Sequence, residues 1–252
     1  MQLKDVAALV TGGGSGLGAA TARAMAAKGA KVAVLDQSKE NAEKIAAEVK
    51  GIAVPADVTD EDQVKAAIAK AEVAHGIARV LVNCAGIGGS QRIVGKSGVY
   101  PLAAFARVIN VNLIGTFNVL RLFAERLLTE APVGEERGVI INTASVAAFE
   151  GQIGQIAYSA SKGGIVGLTL PAARDLAQHK IRVNTIAPGL FLTPLLMGLS
   201  EEARTSLGGQ VPHPTRLGDP SEYGNLAVHI VENAMLNGET IRLDGAIRMA
   251  PR

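Results

Sequence analysis

The fold of this chain is decided by the stretch Thr11-Gly12-Gly13-Gly14-Ser15-Gly16-Leu17-Gly18. An apolar run at residues 6–10 comes before it and predicts a buried strand, and helix-forming residues follow it as far as Gly29. A glycine-rich turn between a strand and a helix lets the backbone approach a pyrophosphate, which the free N–H groups of the helix N-terminus can bind. The strand–turn–helix context therefore predicts a dinucleotide-binding site.

Asp36 follows the second predicted strand, residues 31–35, and lies about twenty residues beyond the glycines, where a carboxylate can bind a ribose 2′-hydroxyl. The same carboxylate would repel a 2′-phosphate, and neither Gly13 nor Gln37 offers a basic side chain to attract one. The alternative is that Asp36 caps a helix, a role that Ser38 could also fill. Asp36 therefore predicts NAD, rather than NADP, as the dinucleotide.

Strand-like and helix-like segments alternate along all 252 residues, and no linker or low-complexity stretch interrupts them. Alternation of this kind with apolar strands predicts an α/β fold, in which a parallel sheet carries helices on both faces. We expect a single domain, residues 1–252, built as a Rossmann-like, doubly wound parallel sheet of about seven strands. The strands are expected near residues 6–10, 31–35, 52–54, 79–83, 139–142, 181–186 and 240–243.

Some helix boundaries and one loop can also be predicted. Thr59 is expected to cap a helix that runs to about residue 75, and Asp219 is expected to begin another with a capping box. Residues 87–100 predict a long loop of the kind that serves a site. Long helices are expected at residues 102–130 and 155–178, and Pro171 should kink or break the second.

Composition argues against several classes of function. The net charge is only +2 with both signs interspersed, which does not predict binding to nucleic acid or to an anionic membrane. No apolar stretch approaches the roughly 18–20 residues that span a bilayer, and a strand beginning near Asp5 leaves no room for a targeting peptide. The single cysteine, Cys84, suits a reducing compartment, and the four histidines have no metal-ligand spacing. We expect a cytoplasmic protein without a bound metal.

Tyr158 and Lys162 stand four residues apart, and Ser145 lies thirteen residues before the tyrosine. On a helix, residues four apart share a face, so the lysine ammonium can lie beside the phenol. A tyrosine pKa of about 10 is too high for a base at neutral pH, and a nearby cation could lower it by roughly two or three units. Alone, the pair could be an ordinary surface pair, and Ser145 an ordinary serine at a strand end. Beside a dinucleotide site, the three residues predict proton transfer to and from an alcohol oxygen.

With these residues in place, the chain resembles the short-chain dehydrogenase/reductase family along essentially its whole length. Within that family it is similar to the type II 3-hydroxyacyl-CoA dehydrogenases, which in animals are also called 17β-hydroxysteroid dehydrogenase type 10. It departs from that group mainly in residues 88–104 and 192–207, the segments expected to shape the acyl and CoA side. The resemblance is carried by Thr11-Gly12-x-x-x-Gly16-x-Gly18, Asn83-x-Ala85-Gly86, Asn112, Ser145, Tyr158-x-x-x-Lys162 and Pro188-Gly189.

The resemblance implies a role for each catalytic residue. Tyr158 would be the general base in oxidation and the general acid in reduction. Lys162 would lower the pKa of Tyr158 and hold the nicotinamide ribose, and Ser145 would stabilise charge on the substrate oxygen. Asn112, which could otherwise be a buried structural residue, would hold a water that links Lys162 to solvent.

The resemblance also implies which residues bind the cofactor and the substrate. The substrate pocket would include Ser145, Tyr158, Gln155 and Leu190, with a substrate-loop region at about residues 189–216. The cofactor would be bound by Gly12, Ser15, Gly16, Leu17, Gly18, Asp36, Asp57, Val58, Asn83, Ala85, Gly86, Tyr158, Lys162, Pro188, Gly189, Leu190 and Thr193.

The activity that the resemblance implies is an NAD-dependent interconversion of a secondary alcohol and a ketone, with 3-hydroxyacyl-CoA and 3-ketoacyl-CoA as the substrate class. Two alternatives stay open. A broad apolar pocket would take a steroid or a simple secondary alcohol, and a dinucleotide-binding scaffold would have no activity. The resemblance further implies a role in fatty acid metabolism and assembly as a homotetramer. The expected binding partner is a small-molecule substrate, and binding to nucleic acid or to a membrane is not expected.

Overall fold

The computed structural model describes residues 1–96, 98–198 and 200–251. Seven parallel strands form one sheet, and a separate antiparallel hairpin lies outside it. They are β1 (Ala7–Thr11), β2 (Lys31–Leu35), β3 (Ile52–Ala53), β4 (Val80–Asn83), the hairpin strands β5 (Val94–Gly95) and β6 (Gly98–Val99), β7 (Gly138–Thr143), β8 (Ile181–Pro188) and β9 (Thr240–Leu243). The order in the sheet is β3-β2-β1-β4-β7-β8-β9, which confirms the predicted doubly wound fold.

Helices cover both faces of the sheet. Helices α1, α2 and α9 pack on one face, and α3, α5 and α6 pack on the other. The helices are α1 (Gly16–Ala27), α2 (Lys39–Glu48), α3 (Glu61–His75), α4 (Leu102–Ile109), α5 (Gly115–Leu127), α6 (Ile156–Ala177), α7 (Pro194–Met197), α8 (Glu201–Gly208) and α9 (Pro220–Glu232).

The strands read as unbroken apolar runs because both faces of the sheet are buried. In β1, Ala8 and Val10 belong to the core beneath α1 and α9, whereas Leu9 between them belongs to the core beneath α3 and α5. Successive side chains of a strand point to opposite faces, so a sheet covered on both sides needs apolar residues at every position. This requirement explains why the strands could be predicted from the sequence.

Two local predictions were wrong. Asp60, rather than Thr59, caps α3 by accepting a hydrogen bond from the Gln63 N–H, while the Thr59 hydroxyl donates to Asp57. Threonine and aspartate are both favourable at a helix N-cap. Here the Thr59 hydroxyl is bound to the Asp57 carboxylate, and Asp60 takes the cap position. The loop at residues 87–100 contains the hairpin of β5 and β6, whose alternating pattern is too short to be read from the sequence. Ser97 of that loop, Leu199 of the substrate-loop region and Arg252 lie outside the described residues.

The two long helices also differ from their predictions. A single π-helical turn, Asn110–Ile114, joins α4 to α5, so the helix expected at residues 102–130 has a bulge in its middle. Pro171 lies inside α6, which runs without a break from Ile156 to Ala177.

The helical run Leu102–Leu127 corrects the expectation that no apolar segment is long enough for a bilayer. Its best 18-residue window has a mean hydropathy of 1.3, so by length and composition alone it could cross a membrane. In this fold Val119, Leu122, Phe123 and Leu127 of α5 are buried against the sheet. These residues of α5 are apolar because they belong to the core, and 33% of the 18-residue window is buried in this way.

Candidate active site

The glycine-rich turn brings β1, β4 and α1 so close together that side chains do not fit between them. A Cβ atom on Gly18 would lie 2.1 Å from the carbonyl oxygen of Gly12, and one on Gly12 would lie 2.7 Å from the amide nitrogen of Ala85. Gly12 also has a φ of 60°, in the left-handed region that glycine adopts without strain. The bare backbone at the first turn of α1 fits a pyrophosphate, as the sequence predicts.

Asp36 is held in one orientation at the end of β2. Its carboxylate accepts hydrogen bonds from the Gly14 N–H at 3.0 Å and the Ser38 N–H at 2.9 Å. Ser38 caps α2 through the Asn41 N–H, so Asp36 is not the helix cap. The half-buried carboxylate of Asp36 therefore lies beside the glycine turn, where it can accept a hydrogen bond from a ribose hydroxyl.

The other residues predicted to bind the cofactor lie at the same edge of the sheet. The Thr11 hydroxyl joins β1 to β4, because it donates to Asn83 Oδ1 at 3.4 Å and accepts from the Ala85 N–H at 3.2 Å. A Cβ atom on Gly16 would lie 3.7 Å from Thr193, which brings the segment after β8 to the glycine turn. Ligands of such sheets bind at this edge. The remaining predicted cofactor residues lie at the strand ends, in the loops and in the first turn of α1, and they are Ser15, Leu17, Asp57, Val58, Gly86, Pro188, Gly189 and Leu190.

The three predicted catalytic residues lie together at the ends of β7 and α6. The Lys162 ammonium donates to the carbonyl oxygen of Thr143 at 2.7 Å, and its nitrogen lies 5.7 Å from the centre of the Tyr158 ring. Ser145, just beyond β7, accepts a hydrogen bond from the Ala147 N–H at 3.1 Å and also interacts with the Tyr158 phenol. Thr143 was missed by the sequence analysis, because a backbone carbonyl carries no side-chain signal.

The pKa of Tyr158 differs in direction from the sequence-based expectation. Burial raises the pKa of Tyr158 above its ordinary value, and the interaction with Ser145 opposes that rise. Burial also lowers the pKa of Lys162 from 10.5 to about 8. The ammonium of Lys162 donates to the Thr143 carbonyl. The interaction with Ser145 favours the phenolate, and burial outweighs it.

Asn112 is completely buried in the π-helical turn and connects three segments of the site. Its amide nitrogen donates to the carbonyl oxygen of Ile87 and to the hydroxyl of Ser161, each at 3.0 Å, and its amide oxygen accepts from the Ile87 N–H at 2.8 Å. Ser161 precedes Lys162 on α6, and a Cβ atom on Gly86 would lie 3.2 Å from the Asn112 amide oxygen. The side chain therefore fixes the loop after β4 against α6. The water that the resemblance implies beside Asn112 stays a prediction.

A cavity of about 590 Å³ opens next to the loop that joins Ser145 to α6, and none of the predicted catalytic residues is among its lining residues. None of the four residues predicted for the substrate pocket lines this cavity; they are Ser145, Gln155, Tyr158 and Leu190. Among the described residues, no group of three histidine, cysteine or acidic side chains could hold a metal ion. The cavity is lined by Gln91, Arg92, Ile93, Val94, Ala147, Ala148, Phe149, Gly151, Gln152, Ile153, Gly154, Ile156 and Ser159.

Comparison with known proteins agrees with this geometry. The family model for short chain dehydrogenases matches residues 6–204. The chain belongs to the short-chain dehydrogenase family. The enzyme is therefore an oxidoreductase, and the family uses a nicotinamide dinucleotide as its cofactor.

Individual relatives cover almost the whole chain. The enzyme is 57% identical to the 3-hydroxyacyl-CoA dehydrogenase type-2 of Bos taurus over 99% of this chain and 97% of that protein. It is 35% identical to the 3-oxoacyl-[acyl-carrier-protein] reductase FabG of Thermotoga maritima over 98% of this chain and 99% of that protein. A crystal structure of the 3-hydroxyacyl-CoA dehydrogenase type-2 of Mycobacterium avium superposes with a TM-score of 0.94, at 42% identity and 98% coverage of both chains.

The buried charge of Lys162 predicts a trade-off between stability and activity. In the unfolded chain the lysine keeps its proton up to about pH 10.5, whereas the folded enzyme releases it from about pH 8 upward. The cost of burying the charge is therefore fully present below pH 8 and disappears above pH 10.5. We expect Lys162→Met to abolish turnover while raising the free energy of unfolding at pH 7 by about 1–3 kcal/mol.

Urea unfolding of the two proteins at pH 7 and pH 10 measures this effect. Lys70→Met is the matched control, because the exposed Lys70 also donates to a backbone carbonyl, that of Ala53 at 3.0 Å. Stabilisation by Lys162→Met at pH 7 that shrinks at pH 10 supports the burial cost. A loss of stability at both values would contradict it.

Proposed function

We propose that the enzyme uses NAD to interconvert 3-hydroxyacyl-CoA and 3-ketoacyl-CoA thioesters. The observation that carries this proposal is the 57% identity, along nearly the whole chain, to a relative named 3-hydroxyacyl-CoA dehydrogenase type-2. The structural neighbour of the same name, at a TM-score of 0.94, supports it further. By the same likeness, we propose a role in fatty acid metabolism.

The catalytic residues supply proton transfer and orientation in this proposal. When bound, the cofactor supplies or accepts the hydride. Tyr158 gives a proton to the substrate oxygen in reduction and takes it back in oxidation, and Ser145 hydrogen-bonds the same oxygen. Because Lys162 donates to the Thr143 carbonyl, its ammonium has a fixed position beside Tyr158 from which it holds the nicotinamide ribose. Asn112 keeps the loop after β4 in place against this group.

The cavity next to the loop between Ser145 and α6 suits a substrate with an apolar part and an anionic part. Its walls include the apolar side chains of Ile93, Phe149 and Ile156. Arg92, which is exposed at the rim, offers a cation that would attract a phosphate group. Residues 91–94 belong to the segment in which the sequence departs from the type II enzymes, so this wall is where chain-length preference would be set.

We also propose a homotetramer and a cytoplasmic location. Three large apolar side chains remain partly exposed. They are Ile114 in the π-helical turn (49%), Phe117 in α5 (52%) and Leu170 in α6 (44%). Burial of exposed apolar side chains of this size against another subunit would be favourable. The single cysteine is compatible with a reducing compartment.

The Asp36 carboxylate should determine the preference for NAD over NADP. Asp36→Ala removes both the acceptor for the ribose hydroxyl and the charge that repels a 2′-phosphate. We expect the ratio of kcat/KM for NADH to that for NADPH to fall by about 10-fold to 100-fold, equal to roughly 1.4–2.8 kcal/mol. Glu40→Ala, which removes an exposed carboxylate from the first turn of α2, is the matched control. An unchanged ratio in Asp36→Ala would overturn the assignment.

Absorbance at 340 nm tests the proposed activity directly. Purified enzyme is mixed with acetoacetyl-CoA and either NADH or NADPH. We expect rapid oxidation of NADH and slow oxidation of NADPH. No turnover of the thioester, together with turnover of a steroid ketone or a simple ketone, would replace the substrate class and leave the cofactor assignment in place.

A further inference from the structure

Arg242, in the edge strand β9, uses its whole guanidinium group within the chain. Its two terminal nitrogens donate to the two carboxylate oxygens of Glu150 at 2.7 and 3.0 Å, and its Nε donates to Asp244 at 2.7 Å. One terminal nitrogen also donates to the carbonyl oxygen of Ile247 at 3.0 Å, and the group lies 5.2 Å from the centre of the Phe149 ring. Such a forked, stacked arrangement has one geometry, which a lysine could not reproduce.

The two acidic partners of Arg242 belong to two different segments near the active site. Glu150 lies in the loop between Ser145 and Tyr158, and that loop also lines the cavity. Asp244 packs beneath the turn after β8, where a Cβ atom on Gly189 would lie 2.8 Å from the Cβ atom of Asp244. The Gly189 N–H also donates to the carbonyl oxygen of Leu243 at 2.9 Å. Arg242 therefore joins the loop before α6 to the turn expected to meet the nicotinamide, and the exposed Arg248 makes longer contacts, at 3.4 Å, with the same two carboxylates.

The C-terminal segment, residues 245–251, strengthens the same connection. The Met249 N–H donates to Glu150 at 3.3 Å, and the Gln152 amide donates to the carbonyl oxygen of Ala250 at 3.0 Å. The Ile153 N–H donates to the carbonyl oxygen of Pro251 at 3.0 Å. The loop before α6 is thus held along its length by residues from the end of the chain.

We propose that Arg242 is a positioning residue, which sets the distance between the substrate wall and the nicotinamide turn through Glu150 and Asp244. It touches neither Tyr158 nor Lys162 among the contacts of the described residues, so it acts on the reaction through the two loops. Hydride transfer requires its two carbons to lie within about 3–3.5 Å, and a displacement of about 1 Å can cost roughly 100-fold in rate. A small change in the spacing of the walls should therefore reduce turnover while leaving the adenosine half of the cofactor bound.

The inference rests on the dehydrogenase activity proposed for the same cleft, so the experiment measures the wild type and the variants side by side. Arg242→Lys keeps the positive charge and removes the fork, and Glu150→Gln keeps the shape of its partner and removes the charge. The matched controls are Arg126→Lys and Glu72→Gln, because Arg126 binds Glu72 through two nitrogens on the surface between α3 and α5. Steady-state kinetics, NADH dissociation constants and thermal midpoints are measured for all of them.

We expect Arg242→Lys and Glu150→Gln each to lower kcat/KM for the ketone by roughly 10-fold or more, with the dissociation constant of NADH changed by less than about 2-fold. The double variant should be no worse than the single ones, because both changes break the same connection. Hydrogen exchange should rise in residues 149–155 and 188–193 of Arg242→Lys and not in the Arg126→Lys control.

Two results would overturn the inference. The first is a kcat/KM within about 2-fold of the wild type in both variants. The second is a loss of activity that accompanies a lower thermal midpoint and is equally large in the control variants. Failure of the wild type to reduce acetoacetyl-CoA concerns the proposed substrate instead, and the comparison of variants is then made with whichever ketone the wild type reduces.

Discussion

The active site depends on one buried charge and the carbonyl group that receives it. The ammonium of Lys162 lies inside the protein, where burial lowers its pKa to about 8, and it donates to the Thr143 carbonyl at 2.7 Å. A buried ammonium is costly unless its hydrogen bonds are satisfied, so the end of β7 and the first turns of α6 must keep a fixed relation. Gly86 belongs to the same constraint, because a Cβ atom there would lie 3.5 Å from the Lys162 nitrogen. Burying the ammonium costs stability, and it places a cation beside Tyr158.

The two halves of the cleft are held by different kinds of interaction. On the cofactor side, the backbones of the glycine turn and of β4 approach so closely that side chains are excluded, and steric contact alone fixes their spacing. On the substrate side, the segment between Ser145 and α6 has a single 3-10 turn, Val146–Ala148, and the hydrogen bonds and ion pairs of Arg242 and Glu150 hold it. The family uses a nicotinamide dinucleotide, whereas the names of the relatives indicate different substrates. A loop that is held by a few side chains can change between relatives, and it therefore suits the substrate side of the cleft.

Much of the fold could be predicted because its signals are local. The apolar strands, the glycine turn and the capping box at Asp219 each lie within a short window, and the structure contains all three. The sequence also indicated Ser145, Tyr158 and Lys162 by their spacing, and the structure brings them together. What it could not indicate depends on contacts made in three dimensions. The direction of the Tyr158 pKa follows from burial, the carbonyl partner of Lys162 has no side-chain signature, and Glu150 meets Arg242 from 92 positions away.

The central claim is that Tyr158 transfers the proton and does not build the cofactor site. Tyr158→Phe removes the phenol oxygen and retains the ring beside Lys162. The most direct measurement is turnover of this variant at 340 nm, together with a fluorescence titration of NADH. The account predicts a loss of roughly 100-fold to 10,000-fold in rate, with NADH affinity within about 2-fold of the wild type. A variant that retains its turnover, or that no longer binds NADH, would contradict the account.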